Sequence, residues 1–151
     1  MFKLTRRLDY AILAISHLAA RPASSPVSAR ALADASRIPP AILANILKDL
    51  THAGLVRSER GVHGGYELAV APEELSIGRL VRALEGEVRL VECVPRLGSG
   101  DGSESPPPCR IESTCAVKAP LRQVHKRIQE VLDELTFDQL LADAVSMPAA
   151  P

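Results

Sequence analysis

Apolar residues recur every three or four positions at the start of the chain, a period that is typical of an α-helix with one buried side. Residues 4–20 show this pattern, and the segment 21–27, which contains two prolines, is expected to end the helix. Ser28 stands at the predicted N-cap of a short second helix. A pair of prolines then opens a third helix that Gly54 ends, and its predicted inward positions are Ile42, Leu43, Ile46, Leu47 and Leu50.

A β-hairpin is predicted directly after these helices. Residues 55–58 and 66–70 have the composition of short strands, and the segment RGVHGG between them holds three glycines within five residues. These glycines are expected to supply the positive φ angles that a hairpin tip needs. Two helices joined by a tight turn and followed by a hairpin form a winged helix-turn-helix, so the predicted fold class is mainly α with a small β-hairpin wing.

Further helices are predicted in the second half of the chain. Ser76 caps a short helix, and Pro120 opens a long C-terminal helix that reaches about Leu135. Thr136 and Gln139 resemble a capping box that starts a short tail helix. The apolar stripe of the long helix is broad for a helix with little domain left to cover, which favours packing on a second copy in a dimer. Its members are Leu121, Val124, Ile128, Val131, Leu132 and Leu135.

Composition supports a helical core and gives a weaker indication of the binding partner and the cellular location. Of the 151 residues, 46% are hydrophobic and only 3% aromatic, so the core must consist of Leu, Ile, Val and Ala. The net charge is zero, but residues 1–70 carry nine Lys/Arg against five Asp/Glu, which suits a half that faces phosphate. No stretch approaches the length of a membrane span, and Asp9 and His17 interrupt the apolar N-terminal segment. We therefore expect a cytoplasmic protein rather than a secreted one.

The third helix carries a polar side that suits the major groove of DNA. Asn45 can bond an adenine edge through two hydrogen bonds, neighbouring alanines permit close approach, and Lys48 suits a phosphate. In the wing, Arg60 can enter a narrow minor groove. The predicted DNA-binding residues are Ser28, Arg30, Ala41, Ala44, Asn45, Lys48, Arg60 and His63. The alternative is that these are ordinary solvated side chains on a winged helix that binds protein.

Three cysteines, Cys93, Cys109 and Cys115, follow the wing. An odd number in a cytoplasmic-looking chain argues against a disulfide framework. Thiolates converging from a loop suit an iron–sulfur cluster or zinc, both of which need a fourth ligand, whereas spacing alone is equally compatible with three ordinary thiols. No nucleophile–base pair, phosphate-binding loop or paired-carboxylate arrangement stands out, so the chain is not expected to be an enzyme.

The predicted division of the chain follows from these patterns. Residues 1–72 are assigned to the winged helix-turn-helix DNA-binding domain and residues 73–94 to a connecting helix. Residues 95–118 are assigned to a loop that carries Cys109 and Cys115 and is the candidate cluster-binding segment, and residues 119–151 to the dimerisation helix and its tail.

The order of four motifs resembles the Rrf2 family of bacterial winged-helix regulators, which includes IscR, NsrR and RirA. The motifs are KLTRRLDYAI, the run from VSARALADAS to GVHGGYELA, LSIGRLVRALEG, and CRIESTC before a long helix. The resemblance implies a homodimer that binds a pseudo-palindromic operator. It also implies an iron–sulfur cluster, 2Fe–2S or 4Fe–4S, held by three cysteines of one subunit and a variable fourth ligand, whose state sets DNA affinity.

By position, Cys93, Cys109 and Cys115 match the family's cysteines, Arg60 matches the wing arginine, and Ala44 and Asn45 match base-facing positions. Fifteen residues separate the first two cysteines, a long gap that is similar to a minority branch with a 2Fe–2S redox cluster.

The fourth cluster ligand departs from part of the family. IscR-like members place a histidine three residues after the last cysteine, where this chain has Lys118, which cannot bind metal while protonated. NsrR-like members use an aspartate of the partner's first helix, and Asp9 occupies that position. The alternative is a surface carboxylate, either paired with Arg6 or acting as a charge in the N-terminal turn of the helix. Glu92, Glu112 and His125 are reserve candidates, His125 being expected on a helix surface.

The expected function is therefore a repressor controlled by a cluster that senses redox, nitric oxide or iron status. A cluster-free thiol or zinc regulator, with a reversible Cys109–Cys115 disulfide, is the alternative.

Overall fold

The computed structural model describes residues 5–22, 25–61, 64–86, 109, 111 and 113–146, and the side chains of this part as far as residue 142. In these residues the chain forms mainly helices and one two-stranded antiparallel hairpin, as the sequence predicts. The elements in chain order are α1 (Arg6–Ala19), α2 (Ala29–Ser36), α3 (Pro40–His52), β1 (Val56–Glu59), β2 (Gly65–Leu68), a short 3-10 turn (Pro72–Glu74), α4 (Ile77–Glu85), α5 (Lys118–Glu134) and α6 (Phe137–Ser146).

Hydroxyl caps begin three of these helices. The side chains of Thr5, Ser28 and Ser76 accept hydrogen bonds from the backbone N–H three residues later, which satisfies donors that have no partner within the helix. At the other end of α3, Gly54 has a φ of 70°, and the Leu55 N–H donates to the Leu50 carbonyl at 2.9 Å. This is a Schellman motif, so Gly54 ends α3 as predicted.

The core lies where α1, α2, α3 and α4 meet. It consists of aliphatic side chains, and its fully buried members include Leu8, Ile15, Leu32, Leu43, Ile46, Leu47, Leu50 and Leu80. One predicted core residue is misplaced: Ile42 is 40% exposed. Ile42 lies at the edge of the stripe, one residue before the buried Leu43, where the helical period turns it toward the gap between α1 and α3.

The two strands of the wing pair with each other, and β2 also pairs with the segment before α2. Val56 pairs with Leu68 and Glu59 with Gly65, and Tyr66 forms two further backbone hydrogen bonds with Val27, of 2.8 and 2.9 Å, just before α2. Only Gly61 among the three tip glycines has a positive φ, of 131°.

At the other two tip glycines there is no room for a Cβ atom, and neither has a positive φ. A Cβ on Gly64 would overlap the backbone of residues 59–61, and one on Gly65 would come within 2.5 Å of the Val27 carbonyl. The prediction that all three supply positive φ angles is therefore wrong for Gly64 and Gly65.

The C-terminal helices pack back onto the winged helix. Backbone hydrogen bonds join Ile77 to Leu135 and Phe137 to Leu75, at 2.9 and 3.0 Å, and the Phe137 ring is fully buried. The Gln139 side chain accepts from the Thr136 N–H at 3.3 Å, which is one half of the predicted capping box. α5 begins at Lys118, two residues before the predicted start at Pro120.

The broad apolar stripe of α5 divides between two sides. Leu132 and Leu135 pack on the core, next to the buried His125 and Gln129, where α5 contacts α4. Val124 and Val131 are 49% and 61% exposed, seven residues apart, with the half-buried Ile128 between them. The expectation that His125 lies on a helix surface is wrong, since it is 1% exposed. None of the helices in the described part of the chain is long and apolar enough to cross a membrane.

Candidate nucleic-acid interface and cysteine site

Helix α3 presents one polar side to solvent. Ala41, Ala44, Asn45 and Lys48 are all exposed, while Leu43, Ile46, Leu47 and Leu50 anchor the opposite side in the core. Because these two sets alternate with the helical period, the burial of α3 determines which side chains a duplex can meet. The exposed side has the size and polarity to enter a major groove.

The other predicted DNA-binding residues lie at the start of α2 and in the wing. Ser28 and Arg30 are exposed at the first turn of α2, and the Ser28 hydroxyl oxygen accepts from the Ala31 N–H at 3.1 Å, which leaves the hydroxyl hydrogen available for a phosphate oxygen. Arg60 is exposed directly after β1. His63 lies outside the described residues.

A cross-strand ion pair at the base of the wing was not predicted from the sequence. Arg57 and Glu67 are direct partners in the register, and the Arg57 Nε donates to Glu67 Oε1 at 2.6 Å. The Glu67 side chain is buried and the Arg57 side chain half exposed. The hydrogen bond to Glu67 and the charge of its carboxylate raise the pKa of Arg57 above its ordinary value. Opposite charges at facing strand positions are the signal by which the pair can be found.

Helix α1 meets α3 at an open cleft of about 540 Å³. The lining side chains are Arg6, Arg7, Tyr10, Ile42, Asn45, Lys48 and Asp49. The Arg7 guanidinium pairs with the Asp49 carboxylate and also donates to the Leu84 carbonyl at 3.0 Å, which joins α1, α3 and the end of α4. This three-way contact, between residues far apart in sequence, was also not predicted.

The turn between α2 and α3 contains the single non-glycine residue with positive φ in the described part of the chain. Arg37 has a φ of 54° and a ψ of 30°, and its side chain is exposed. Glycine is the usual residue at this position after a helix, because it has no Cβ to clash.

Two of the three cysteines lie among the described residues. Cys109 and Cys115 are free thiols, both half buried, and the Cys115 carbonyl accepts from the Lys118 N–H at 3.5 Å at the start of α5. Val117, the residue before α5, has no polar side chain that could cap the first turn of this helix. The amide groups of that turn lie close to Cys115 in the chain, and a helix N-terminus favours negative charge.

The remaining predicted ligands are not brought together in the described part of the chain. Cys93, Glu92 and Glu112 lie outside it, and within it no group of three or more His, Cys, Asp or Glu side chains is arranged to hold a metal ion. Asp9 is exposed in the first turn of α1 and forms no ion pair with Arg6. The last reserve candidate, His125, is buried on α5, the helix that contacts α4.

Comparison with known proteins decides the family. Residues 4–143 match the Rrf2 family, described as "Iron-dependent Transcriptional regulator". The chain belongs to the Rrf2 family. It is 31% identical over 150 residues to the HTH-type transcriptional repressor NsrR of Streptomyces coelicolor, a match that covers 99% of this chain and 92% of the relative.

Solved structures agree with this assignment. CymR of B. subtilis, named as a global cysteine regulator, superposes with a TM-score of 0.71 at 27% identity and covers 94% of this chain and 98% of its own. T. potens IscR superposes with a TM-score of 0.69 at 28% identity, covering 99% and 94%. The fold is thus that of the winged-helix Rrf2 regulators. As a member of a family of DNA-binding transcriptional regulators, the chain is not an enzyme.

Proposed function

We propose that this Rrf2 protein is a homodimeric repressor whose operator binding is controlled by an iron–sulfur cluster that responds to redox, nitric oxide or iron status. One observation carries the proposal: two free, half-buried thiols, Cys109 and Cys115, precede helix α5, which packs on α4 and also carries exposed apolar residues. A change at the thiols therefore lies next to the element that would fix the spacing of two winged helices.

In this proposal α3 binds the major groove of a half-site. Asn45 reads an adenine edge, Ala41 and Ala44 allow close approach, and Lys48 binds phosphate. Ser28 and Arg30 hold the backbone at the start of α2, and Arg60 and His63 extend from the wing to the minor groove and backbone. The support is that all the described members of this set are exposed.

The dimer is proposed to form along α5. Val117, Val124 and Val131 are each about half exposed or more, and they follow one another at intervals of seven residues. Leu121 and Ile128 lie between them, so the five residues form a stripe of alternating four- and three-residue steps, which is the pattern of a helix that pairs with its twin. Together these five residues are called the α5 stripe below. A second copy would pair the two winged helices with the two-fold symmetry of a pseudo-palindrome.

The two described thiols fit a soft metal centre. Both are free and partly accessible, so iron can reach them without unfolding the core, and thiolate is the ligand type that iron–sulfur clusters require. We propose that Cys93 is the third ligand and that Asp9 of the partner subunit is the fourth, which its exposure on α1 permits.

A bound cluster would supply one-electron redox chemistry and ligand exchange at iron. The contribution of this chain is to bind and orient it. An oxygen ligand such as Asp9 binds iron less tightly than a thiolate does, which suits a site that must gain and lose its group.

Anaerobic purification tests the proposal. Protein that carries a cluster will be brown, with visible absorption and matching iron and sulfide contents, and removal of the iron by a chelator will change its affinity for an operator selected from a random duplex library. Cys109→Ala and Cys115→Ala should each abolish the colour, and Asp9→Ala should shift the spectrum or shorten its lifetime in air. If the purified protein is colourless and free of iron but still binds DNA, the proposed cluster is rejected and the proposed role as a regulator remains.

A second candidate is a cluster-free thiol or zinc regulator. It is favoured by the two free thiols only six positions apart and by the similarity to CymR. In this version Cys109 and Cys115 give up two electrons and two protons to an oxidant and form a reversible disulfide. Peptide mapping after mild oxidation, together with zinc and iron analysis of the purified protein, separates the two candidates.

A further inference from the structure

The cleft between α1 and α3 contains more positive charge than its own carboxylate can neutralise. Three cations and one anion line it: Arg6, Arg7, Lys48 and Asp49. Arg7 and Asp49 form an ion pair with each other. Arg6 and Lys48 are both exposed, and neither side chain has an ion pair or hydrogen bond with any residue in the described ranges. Two uncommitted cations thus border one open cleft.

The cleft opens on the side of α3 that carries the proposed base contacts. Asn45 belongs both to its lining and to the set of residues proposed to read base edges. A helix that lies in a major groove has one sugar–phosphate strand along each side. The strand on the α1 side must therefore pass over this cleft if Asn45 reaches the bases.

We propose that the cleft binds a phosphate of the DNA backbone through Arg6 and Lys48, a site that rests on the proposed function of α3. The two cations come from different helices, Arg6 from α1 and Lys48 from α3, and both line the cleft. Ile42, which is 40% exposed in the same lining, provides an apolar surface for a deoxyribose. The volume of about 540 Å³ leaves room for the phosphate and its neighbouring sugars.

Arg7 positions the two helices of this site and is not proposed to contact the phosphate. Its guanidinium is committed to Asp49 and to the Leu84 carbonyl, so it sets the distance between α1 and α3 and removes the negative charge of Asp49 from the cleft. Without Arg7, the Asp49 carboxylate would repel the phosphate that Lys48, one residue earlier on α3, is proposed to bind.

The salt dependence of DNA binding tests the site. The full-length protein is titrated into a selected operator and into a random duplex of equal length at several salt concentrations. The slope of log affinity against log salt is negative, and each lost phosphate contact reduces its magnitude by about 0.9. Arg6→Ala should therefore make the slope less steep by about 0.9 on both duplexes, so that raising salt from 50 to 200 mM costs about 3.5-fold less affinity than in the wild type.

Three further variants serve as controls for charge, for base recognition and for position on the protein surface. Arg6→Lys keeps the charge and should keep the wild-type slope. Asn45→Ala should change base preference at one operator position and leave the slope unchanged. Lys126→Ala removes one exposed cation on α5, outside the lining of the cleft, and should leave both slope and base preference unchanged.

The outcomes separate this site from the proposed function. If the wild type binds both duplexes and Arg6→Ala leaves the slope unchanged, the phosphate site is wrong and the regulator stands. If the wild type binds no duplex, the proposed function itself fails, and the site with it. If inorganic phosphate occupies the cleft in a titration followed by NMR while the Arg6→Ala slope is unchanged, the cleft is an anion site that DNA does not use, which also overturns the proposal.

Discussion

The carboxylate of Asp133 on α5 fills the space that a side chain on Gly78 of α4 would need. A Cβ at Gly78 would overlap the Asp133 carboxylate and would lie 3.2 Å from its backbone nitrogen. Arg82, one turn further along α4, donates to the same carboxylate at 2.7 Å. The two helices α4 and α5 thus meet at Asp133, which lies in the space left by Gly78 and forms an ion pair with Arg82.

The contact predicts that the effect of one substitution depends on the residue opposite it. Gly78→Ala gains about 1 kcal/mol from alanine in a helix, but in the wild-type protein the Asp133 side chain must rotate away from the new Cβ and lose its ion pair with Arg82. In an Asp133→Ala background that side chain is gone and the 3.2 Å approach to the backbone nitrogen is what remains, so Gly78→Ala should be more favourable there by about 0.5–1 kcal/mol. Urea denaturation of the four proteins measures both values. An equal effect in both backgrounds would contradict the contact.

A second prediction concerns the junction between wing and α2. Gly65→Ala should destabilise the protein by about 2–3 kcal/mol, since the new Cβ would meet backbone atoms of Val27 and Ser28 that cannot rotate away. Amide exchange should accelerate at Val27 and Tyr66, whose mutual hydrogen bonds would separate. Ser58→Ala, on the exposed side of β1, is the control and should change stability by less than about 0.5 kcal/mol. Unchanged exchange at Tyr66 would rule out the crowding.

The features that the sequence predicts well are local. Ser28 and Ser76 cap helices and Gly54 ends one, because each acts on a backbone group within a few residues of itself. The order of elements and the choice of polar positions on α3 follow from periodicity in the same way.

The features that it misses join distant residues. Arg7 and Asp49 are 42 positions apart, and Arg82 and Asp133 are 51 positions apart. Local patterns carry no signal for such pairs. Periodicity likewise identifies the apolar side of α5, but it cannot divide that side between Leu132, which packs on the core, and Val131, which is exposed. The cysteines can be recognised by type and order, whereas no local pattern fixes how thiols between 6 and 22 positions apart approach one another.

A third prediction concerns the strained turn at Arg37. A left-handed backbone costs a residue with a Cβ about 1–2 kcal/mol. Replacement by glycine removes this cost, but it destabilises the folded state by about 0.5–1 kcal/mol because glycine has a more flexible unfolded state. Arg37→Gly should therefore raise the free energy of unfolding by about 0.5–1 kcal/mol. Ser36→Gly, one residue earlier in right-handed helix, is the matched control and should lower it. Thermal and urea unfolding measure both, and a destabilised Arg37→Gly protein would argue against strain at this turn.

The last prediction concerns the α5 stripe. Val131 is 61% exposed, so Val131→Asp should leave the fold of a single subunit nearly unchanged, within about 0.5 kcal/mol. In a dimer that buries the stripe, the same carboxylate would lose its water without gaining a partner, and the subunits should separate. Gln123→Asp adds an equal charge at an exposed α5 position outside the stripe and should leave the dimer intact.

Sedimentation equilibrium at several protein concentrations compares the two variants with the wild type. The expected pattern is a dimeric wild type and Gln123→Asp protein and a monomeric Val131→Asp protein with an unchanged circular dichroism spectrum. The monomer should also bind a palindromic duplex more weakly than the dimer, because the two half-sites are no longer bound together. A Val131→Asp protein that stays dimeric would show that the subunits associate through another surface.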